Sequence, residues 1–225
     1  MSENIPEIKM ILLGESGVGK TSIIKRYLND TFDPSAETTL SMSYVAKTIT
    51  INNNKLTLNI WETIGQEKYR SISKLFLNET KIVILVYSIV SKQTFKELDY
   101  WYGLYKELLG EETVLGVAGN KMDLFLEQDV PDETAKEFAE SRGAIFSLLS
   151  AKDNKNSIDS FIEKLVNAYL EKNSINIGSS NNNKNNNEKK NIIKLDEKNV
   201  GNNNQGEEGC CKGEKKKNKK KNNEN

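Results

Sequence analysis

The stretch that decides the fold is Gly14-Glu15-Ser16-Gly17-Val18-Gly19-Lys20-Thr21. It matches the pattern G-x-x-x-x-G-K-[ST] in full, and its neighbours provide the context that the pattern requires. The apolar run Ile8–Leu13 precedes it and predicts a buried strand, and Thr21–Leu28 follows it with helical spacing. An ordinary glycine-rich turn would not need this strand, this helix and three fixed residue types together. We therefore interpret the stretch as a phosphate-binding loop.

The residue types of this loop suit a bound nucleotide. Its glycines let backbone N–H groups curl around phosphate oxygens at the start of a helix. Lys20 is expected to reach the β- and γ-phosphates, and the Thr21 hydroxyl is expected to bind Mg²⁺. A nucleoside triphosphate is thus the predicted ligand, with Mg²⁺ as its cofactor.

Outside the loop, strand-like and helix-like segments alternate along the chain. Ser43–Ile51 and Lys55–Trp61 predict a β-hairpin around Asn52-Asn53-Asn54. Further strands are predicted at Lys81–Tyr87, Thr113–Ala118 and Ala144–Leu149, and helices at Ser91–Leu109, Pro131–Arg142 and Ser157–Glu171. This order predicts an α/β fold: a six-stranded, mostly parallel sheet with one antiparallel edge strand and helices on both faces. In such sheets the ligand binds beyond the carboxyl ends of the strands.

A second motif, Asn120-Lys121-Met122-Asp123, follows the predicted strand Thr113–Ala118. A carboxylate at Asp123 can accept hydrogen bonds from the N1–H and the 2-amino group of guanine. Adenine offers neither donor and would leave the buried acceptor unpaired. Ser150-Ala151-Lys152 follows the next strand and offers the Ala151 N–H as a second contact to the base. The predicted nucleotide is therefore GTP or GDP.

The stretch Trp61-Glu62-Thr63-Ile64-Gly65-Gln66-Glu67 follows the third predicted strand. Together with the two nucleotide motifs it resembles the small GTPases, and most closely the Rab family, whose pattern here is W-D-T-A-G-Q-E. The resemblance covers Ile8 to about Leu170. It implies a P-loop NTPase domain of the small G-domain type, a switch that binds and hydrolyses GTP and regulates vesicle trafficking. Exchange factors, GTPase-activating proteins and effectors are the implied partners.

The resemblance also assigns roles to single residues. Gln66 resembles the glutamine that orients the attacking water, and Gly65 the glycine whose N–H senses the γ-phosphate. Thr39 matches a threonine that binds Mg²⁺ in the GTP state, and Glu62 stands where an aspartate holds a metal-bound water. The effector-contacting segment corresponds to Ala36, Glu37, Thr38, Thr39, Leu40, Ser41, Met42, Ser43 and Tyr44.

Four positions depart from the family pattern. Glu62 replaces an aspartate beside a metal that demands near-octahedral geometry. Ile64 replaces an alanine with a stiff, branched side chain beside the glycine that must rotate between states. Ser88 replaces an aspartate, and Leu77 replaces a tyrosine of an aromatic triad. From Glu62 and Ile64 we expect slowed hydrolysis with GTP binding retained, and the alternative is a tolerated pair with ordinary weak activity.

The formal net charge of zero hides a division of the chain. Residues 1–175 carry 20 Lys and Arg against 25 Asp and Glu, whereas residues 176–225 carry 12 Lys, 7 acidic residues and 16 Asn. The second part has too few apolar residues to offset its ordering entropy. We therefore predict an N-terminal extension at residues 1–7, a GTPase domain at 8–172 and a disordered Asn/Lys-rich tail at 173–225.

Composition argues against several classes of protein. No apolar run approaches the roughly 18 residues of a membrane-spanning helix, and the polar start Met1–Glu7 is no secretory signal. The chain has no His, which argues against His-based acid–base chemistry and most zinc sites. The acidic domain argues against nucleic-acid binding. We expect a cytoplasmic monomer.

Cys210 and Cys211 are the only cysteines, and both lie in the basic tail. Rab proteins usually end in such a pair, which receives geranylgeranyl groups, but here 14 residues with seven Lys and two Glu follow it. Two interpretations stay open. Either lipidated cysteines and the basic run attach the protein to the cytoplasmic face of a membrane, or the thiols are unmodified on a soluble protein. We favour lipidation.

Two alternatives to a GTP-hydrolysing switch were weighed. The first is a slowly or non-hydrolysing GTP-binding interaction module, which a measured turnover rate separates from a switch. The second is an ATP-using P-loop kinase, which Asn120–Asp123 and the lack of an acceptor-substrate domain disfavour.

Overall fold

Apolar and β-branched runs form one six-stranded sheet. The computed structural model describes residues 6–36, 39, 43–51, 54–63, 77–110 and 112–183, with the backbone alone for Ser43, Asn54 and residues 174–183. The described residues all belong to one compact unit, residues 1–185. Its strands are β1 (Glu7–Leu13), β2 (Ser43–Ile51), β3 (Asn54–Glu62), β4 (Ile82–Ser88), β5 (Val114–Asn120) and β6 (Ile145–Leu148).

The sheet has the order β2-β3-β1-β4-β5-β6. The edge strand β2 pairs antiparallel with β3, and the other described neighbours pair in parallel. Leu12 pairs with Glu62, and Ser88 pairs with Asn120, so the carboxyl ends of β1, β3, β4 and β5 meet at one edge of the sheet. The predicted α/β fold and its antiparallel edge strand are confirmed.

Helices cover both faces of the sheet. They are α1 (Lys20–Asn29), α2 (Lys92–Lys96), α3 (Leu98–Leu108), α4 (Asp132–Glu140) and α5 (Lys155–Asn183), with a 3₁₀ helix at Met122–Glu127. One core joins the sheet to α1 and α5 through buried side chains such as Ile23 and Phe161. The second core joins it to α3 and α4 through side chains such as Trp101 and Ala135.

Several element boundaries differ from the prediction. The single helix predicted at Ser91–Leu109 is two helices, because a tightened turn at Glu97, with ψ of −11°, separates α2 from α3. Strand β5 continues to Asn120, two residues beyond its predicted end. Helix α5 continues to Asn183 instead of ending at Glu171, and no proline follows Pro131 to interrupt its backbone hydrogen bonds. Within the described part of the chain, no helix has the length and apolarity that crossing a membrane requires.

Candidate functional site

A cleft of about 400 Å³ opens at the carboxyl edge of the sheet. Residues of the phosphate-binding loop line one end of it, and Asn120, Lys121 and Asp123 line the other. The other predicted residues on its wall are Ala36, Thr39, Glu62, Ala151 and Lys152. Fold topology therefore brings together motifs that lie far apart in the sequence.

The phosphate-binding loop runs close beneath this cleft in a conformation that requires glycine. Gly14 and Gly19 have φ angles of 146° and 94°. A Cβ at Gly14 would lie 2.2 Å from the Val86 carbonyl oxygen, and a Cβ at Gly19 would lie 2.3 Å from Nδ2 of Asn120. The loop thus packs against β4 and β5 more tightly than any side chain allows.

Lys20 is held inside the phosphate-binding loop. Its Nζ donates to the carbonyl oxygens of Gly14 at 2.8 Å and Glu15 at 3.0 Å. Burial lowers the pKa of Lys20 to about 8, against the opposing field of the Glu62 and Glu15 carboxylates. A phosphate would place further negative charge beside this buried ammonium group.

A tryptophan of α3 supports the same loop from below. The fully buried Trp101 donates from Nε1 to Oε1 of Glu15 at 3.1 Å. Trp101 belongs to the core that joins the sheet to α3 and α4. Its link to Glu15 spans 86 residues of sequence and could not be read from it.

Three oxygen-bearing side chains converge beside Lys20. Oγ1 of Thr21 lies 2.6 Å from Oγ1 of Thr39, and both hydroxyls donate to Oε1 of the buried Glu62, Thr39 at 3.1 Å. Hydroxyl and carboxylate oxygens are the hard ligands that Mg²⁺ prefers. The Glu62 carboxylate is in direct contact with the Thr21 hydroxyl.

The base end of the cleft is a set of satisfied polar groups. Asn120, 2% exposed, donates from Nδ2 to the Val18 carbonyl at 2.9 Å and accepts at Oδ1 from the Ala151 N–H at 3.2 Å. Ser150 donates from Oγ to Oδ1 of Asp123 at 2.7 Å, which orients the carboxylate. Glu15, Val18 and Ser150 also hold residues that line the cleft, because their oxygens bond to Lys20, Asn120 and Asp123.

Several lining residues were missing from the prediction. Ser22, Phe32, Asp33, Pro34 and Leu124 also face the cleft. Phe32 is the informative one, since an aromatic ring in a loop that bounds a nucleotide cleft offers a surface on which a base can stack. A lone aromatic residue in the aperiodic segment after α1 was the available signal, but no local pattern distinguishes it from a core residue.

Besides Glu62, two departures from the family pattern, Leu77 and Ser88, lie among the described residues. Leu77 is 1% exposed and belongs to the core of α3 and α4, so it is not a surface residue. Tyr44, 51% exposed, contacts Trp61 with ring centroids 5.1 Å apart. Ser88 is buried, and its hydroxyl has no hydrogen-bond partner within the described residues. Among the described residues, the rings of Tyr44 and Trp61 contact each other, and Leu77 adds no aromatic ring to them.

Some predicted residues lie outside the described part of the chain. These are Ile64, Gly65 and Gln66 of the hydrolytic segment, Glu37, Thr38, Leu40, Ser41 and Met42 of the effector segment, and both cysteines, Cys210 and Cys211. Ala36, Thr39 and Tyr44 of the effector segment are described, as is the backbone of Ser43. The predicted tail beyond residue 183 is likewise outside.

Comparison with known proteins gives a consistent result. The Ras family model matches residues 9–171. Human Ras-related protein Rab-12 is 34% identical over 172 residues, which cover 76% of this chain and 70% of that protein. Human Ras-related protein Rab-22A is 37% identical over 157 residues, 70% of this chain and 81% of its own. Ras-related protein Rab-21 of Geodia cydonium is 36% identical over 165 residues, 73% and 72% of the two chains.

Proposed function

The chain belongs to the Ras family as a Rab-type small GTPase that binds and hydrolyses GTP and regulates vesicle trafficking, and from this premise we propose how its residues divide the work. The observation that most directly supports this proposal is the cleft, which has Lys20 and Thr21 at one end and Asn120 and Asp123 at the other. One nucleotide in that cleft would meet both sets of groups. Exchange factors, activating proteins and effectors are its classes of protein partner.

At the phosphate end, Lys20 and the backbone N–H groups of residues 14–21 bind the β- and γ-phosphates. The support is the buried ammonium of Lys20, whose present partners are two carbonyl oxygens of the loop itself. In phosphoryl transfer, positioning and charge stabilisation supply most of the rate enhancement. A fixed ammonium in a site shielded from water serves both purposes, because it needs no reorganisation as charge develops.

Thr21, Thr39 and Glu62 would hold Mg²⁺, Glu62 through a water molecule. The convergence of their oxygens supports this assignment. Phosphate and water oxygens would be the remaining ligands, because Mg²⁺ dehydrates reluctantly and is usually bound through few protein side chains. When bound, Mg²⁺ neutralises charge on the β- and γ-phosphates.

At the base end, Asp123 accepts from the N1–H and the 2-amino group of guanine, and the Ala151 N–H donates to the guanine O6. Guanine presents an acceptor at this position where adenine presents an amino donor. Lys121 and Lys152 line the same end of the cleft, and Phe32 contacts the base or ribose. The Ser150 hydroxyl positions the Asp123 carboxylate before the base arrives.

Gln66 orients the water that attacks the γ-phosphate in line with the leaving oxygen, and the Gly65 N–H contacts that phosphate. Both roles come from the family resemblance. Arginine from an activating protein would raise the rate by roughly 10³–10⁵. The effector segment, Ala36 to Tyr44, contacts effectors in the GTP state, and the exposed Tyr44 ring supports its inclusion.

Nucleotide selectivity and single-turnover hydrolysis test these roles on the full chain. We expect Asp123→Asn to weaken GTP by at least about 10²-fold and to gain affinity for XTP, because an amide can donate to the 2-oxo group of xanthine. Gln66→Leu should slow hydrolysis at least about tenfold and leave GTP affinity unchanged. Equal affinity of the wild type for ATP and GTP would contradict the base assignment.

We further propose that Cys210 and Cys211 are lipidated and that the protein attaches as a monomer to the cytoplasmic face of an endomembrane or of the plasma membrane. The basic run around the pair supports this, at about 1 kcal/mol per Lys near anionic lipid. Mass spectrometry of the protein from its native cells, beside fluorescence localisation of Cys210→Ser/Cys211→Ser, provides the test. An unmodified mass with a fully cytosolic wild type would refute the anchor.

A further inference from the structure

Arg26 of α1 reaches across to the loop that follows β6. Its Nε donates to the Ala151 carbonyl at 2.7 Å, and its Nη2 donates to the Lys152 carbonyl at 2.5 Å. Its Nη1 donates to the Asp30 carbonyl at 3.1 Å and to Oδ1 of Asp30 at 2.9 Å. The side chain is 16% exposed. One planar guanidinium group is thus divided between the base loop and the end of α1.

Together with bonds of Asn120, these bonds connect the phosphate-binding loop, the loop after β6 and α1 in a closed ring of contacts. Asn120 ties the Val18 carbonyl of the phosphate-binding loop to the Ala151 N–H. Arg26 ties the Ala151 carbonyl to α1, whose first turn starts on that loop through the Ile23 N–H bond to Gly19 at 2.9 Å. Ala151 is therefore fixed on both sides of its backbone, at the N–H by Asn120 and at the carbonyl by Arg26.

The Ala151 N–H, held by Asn120, is the group that matters for the base. Its bond to Asn120, at 3.2 Å, is long enough to be shared with a second acceptor, as three-centre bonds are. Sharing needs the N–H vector to point between the two acceptors. The bond from Arg26 to the Ala151 carbonyl limits rotation of this segment of backbone. Such a rotation would turn the Ala151 N–H away from the base.

We propose that Arg26 is a positioning residue for guanine: it orients the Ala151 N–H toward the O6 of the base and thereby slows nucleotide release and sharpens base selectivity. The inference rests on the Ala151 contact given under Proposed function. If Arg26 only capped α1, its bonds to Asp30 would be enough, since a cation near the carboxyl end of a helix is favourable by itself. The two bonds to Ala151 and Lys152 are surplus to that role.

Release rates of two nucleotides from the full chain separate these roles. 6-Thio-GDP keeps the N1–H and 2-amino donors of GDP, but it presents sulfur, a weak acceptor, at position 6. We expect Arg26→Met to accelerate GDP release by about tenfold, which corresponds to about 1.4 kcal/mol. For 6-thio-GDP we expect less than about a third of that acceleration, because the contact that Arg26 aligns is already weak there.

Two variants serve as matched controls. Arg142→Met removes a guanidinium group that is 23% exposed, pairs with Asp99 at 2.8 Å and stacks on Phe138 in another part of the molecule. Asp30→Asn removes the ion pair at the end of α1 and leaves the bonds to Ala151 and Lys152. Both should release the two nucleotides at wild-type rates.

The outcomes are distinct. Equal acceleration of both nucleotides by Arg26→Met would show a merely structural role and overturn the proposal, as would release no faster than from Arg142→Met. If the wild type itself releases GDP and 6-thio-GDP equally fast, the Ala151 contact is wrong and the premise for Arg26 is lost with it. A selective acceleration of GDP supports the proposal, provided that thermal unfolding shows Arg26→Met to be folded at the assay temperature.

Discussion

The two ends of the cleft are built in different ways. At the base end, Asn120 and Asp123 are held by bonds to protein groups that leave their function available, such as the Ser150 hydroxyl on the Asp123 carboxylate. At the phosphate end, Lys20 bonds to carbonyl oxygens of its own loop, and the Thr21, Thr39 and Glu62 oxygens bond to one another. These groups must exchange partners when a nucleotide binds.

The difference matches what each end must do. A base contact selects one ligand and serves GDP and GTP alike, so a rigid arrangement costs nothing at each turnover. The phosphate end must distinguish two ligands that differ by one phosphate. Without that phosphate these groups bond to one another, which stabilises a second arrangement, and a switch needs two arrangements.

The largest expected effect comes from a substitution at the contact between Gly19 and Asn120, where the two ends of the cleft meet. In Gly19→Ala the new Cβ would displace Asn120, and we expect loss of measurable GDP binding. Gly17→Ala is the matched control, because Gly17 has a φ of 76° but no atom within 4 Å of its Cβ position. It should lose only about 1–2 kcal/mol of stability from backbone strain. Binding of a fluorescent GDP and thermal unfolding measure both, and similar binding by the two variants would mean that this contact is not needed for binding.

A smaller effect is expected from the support of the phosphate end. Trp101→Phe keeps most of the buried ring but removes the donor to Glu15, and we expect GDP release to accelerate by up to about tenfold. A double-mutant cycle with Glu15→Ala isolates the pair from the packing of the ring. Strictly additive effects on the release rate would mean that the bond does not support the loop. Trp61→Phe controls for loss of a tryptophan elsewhere.

Reverting two departures at the phosphate end should change catalysis by a few fold. Glu62→Asp/Ile64→Ala is expected to raise the single-turnover rate of GTP hydrolysis by about three- to tenfold, because the shorter carboxylate relieves crowding at the metal and the alanine removes a stiff neighbour of Gly65. GTP affinity should stay within about threefold. An unchanged rate would favour the alternative, an ordinary weak intrinsic activity.

The smallest effect is expected beneath the base end. Tyr87 is fully buried, and its hydroxyl has no partner within the described residues. Burial, with the Asp132 charge as a lesser cause, raises the pKa of this phenol far above its usual value. Tyr87→Phe should therefore leave GDP release unchanged and stabilise the fold by up to about 1 kcal/mol. A fall of several degrees in the unfolding temperature of Tyr87→Phe would instead indicate that the Tyr87 hydroxyl has a bound water or another partner.

The sequence predicted the fold and most of the cleft because its decisive features are local. The loop at residues 14–21 has its glycines, lysine and threonine within eight positions, and the strand and helix beside it carry their own periodicity. Asn120 and Asp123 lie in another short motif. Phe32 was missed because it lies in an aperiodic segment, and Arg26 because one cation on a predicted helix carries no signal for a partner 125 residues away.

The break between α2 and α3 also escaped prediction, since the apolar spacing of Ser91–Leu109 continues through Glu97 while the backbone tightens there. The domain boundaries at 7/8 and 172/173 stay predictions. Helix α5 crosses the second of them, because helical hydrogen bonds continue across a change of composition where no proline intervenes.

By itself the sequence determined the class of fold that brings strand ends together and the class of chemistry, a GTPase. Its motifs also predicted phosphate binding by residues 14–21 and guanine selection at Asn120–Asp123. Only the tertiary structure decided how those groups support one another. It placed Trp101 under Glu15, Asn120 between Val18 and Ala151, and Arg26 on the base loop. The reason is physical: motifs depend on backbone geometry within a few residues, whereas hydrogen-bond partners depend on which distant segments the sheet makes adjacent.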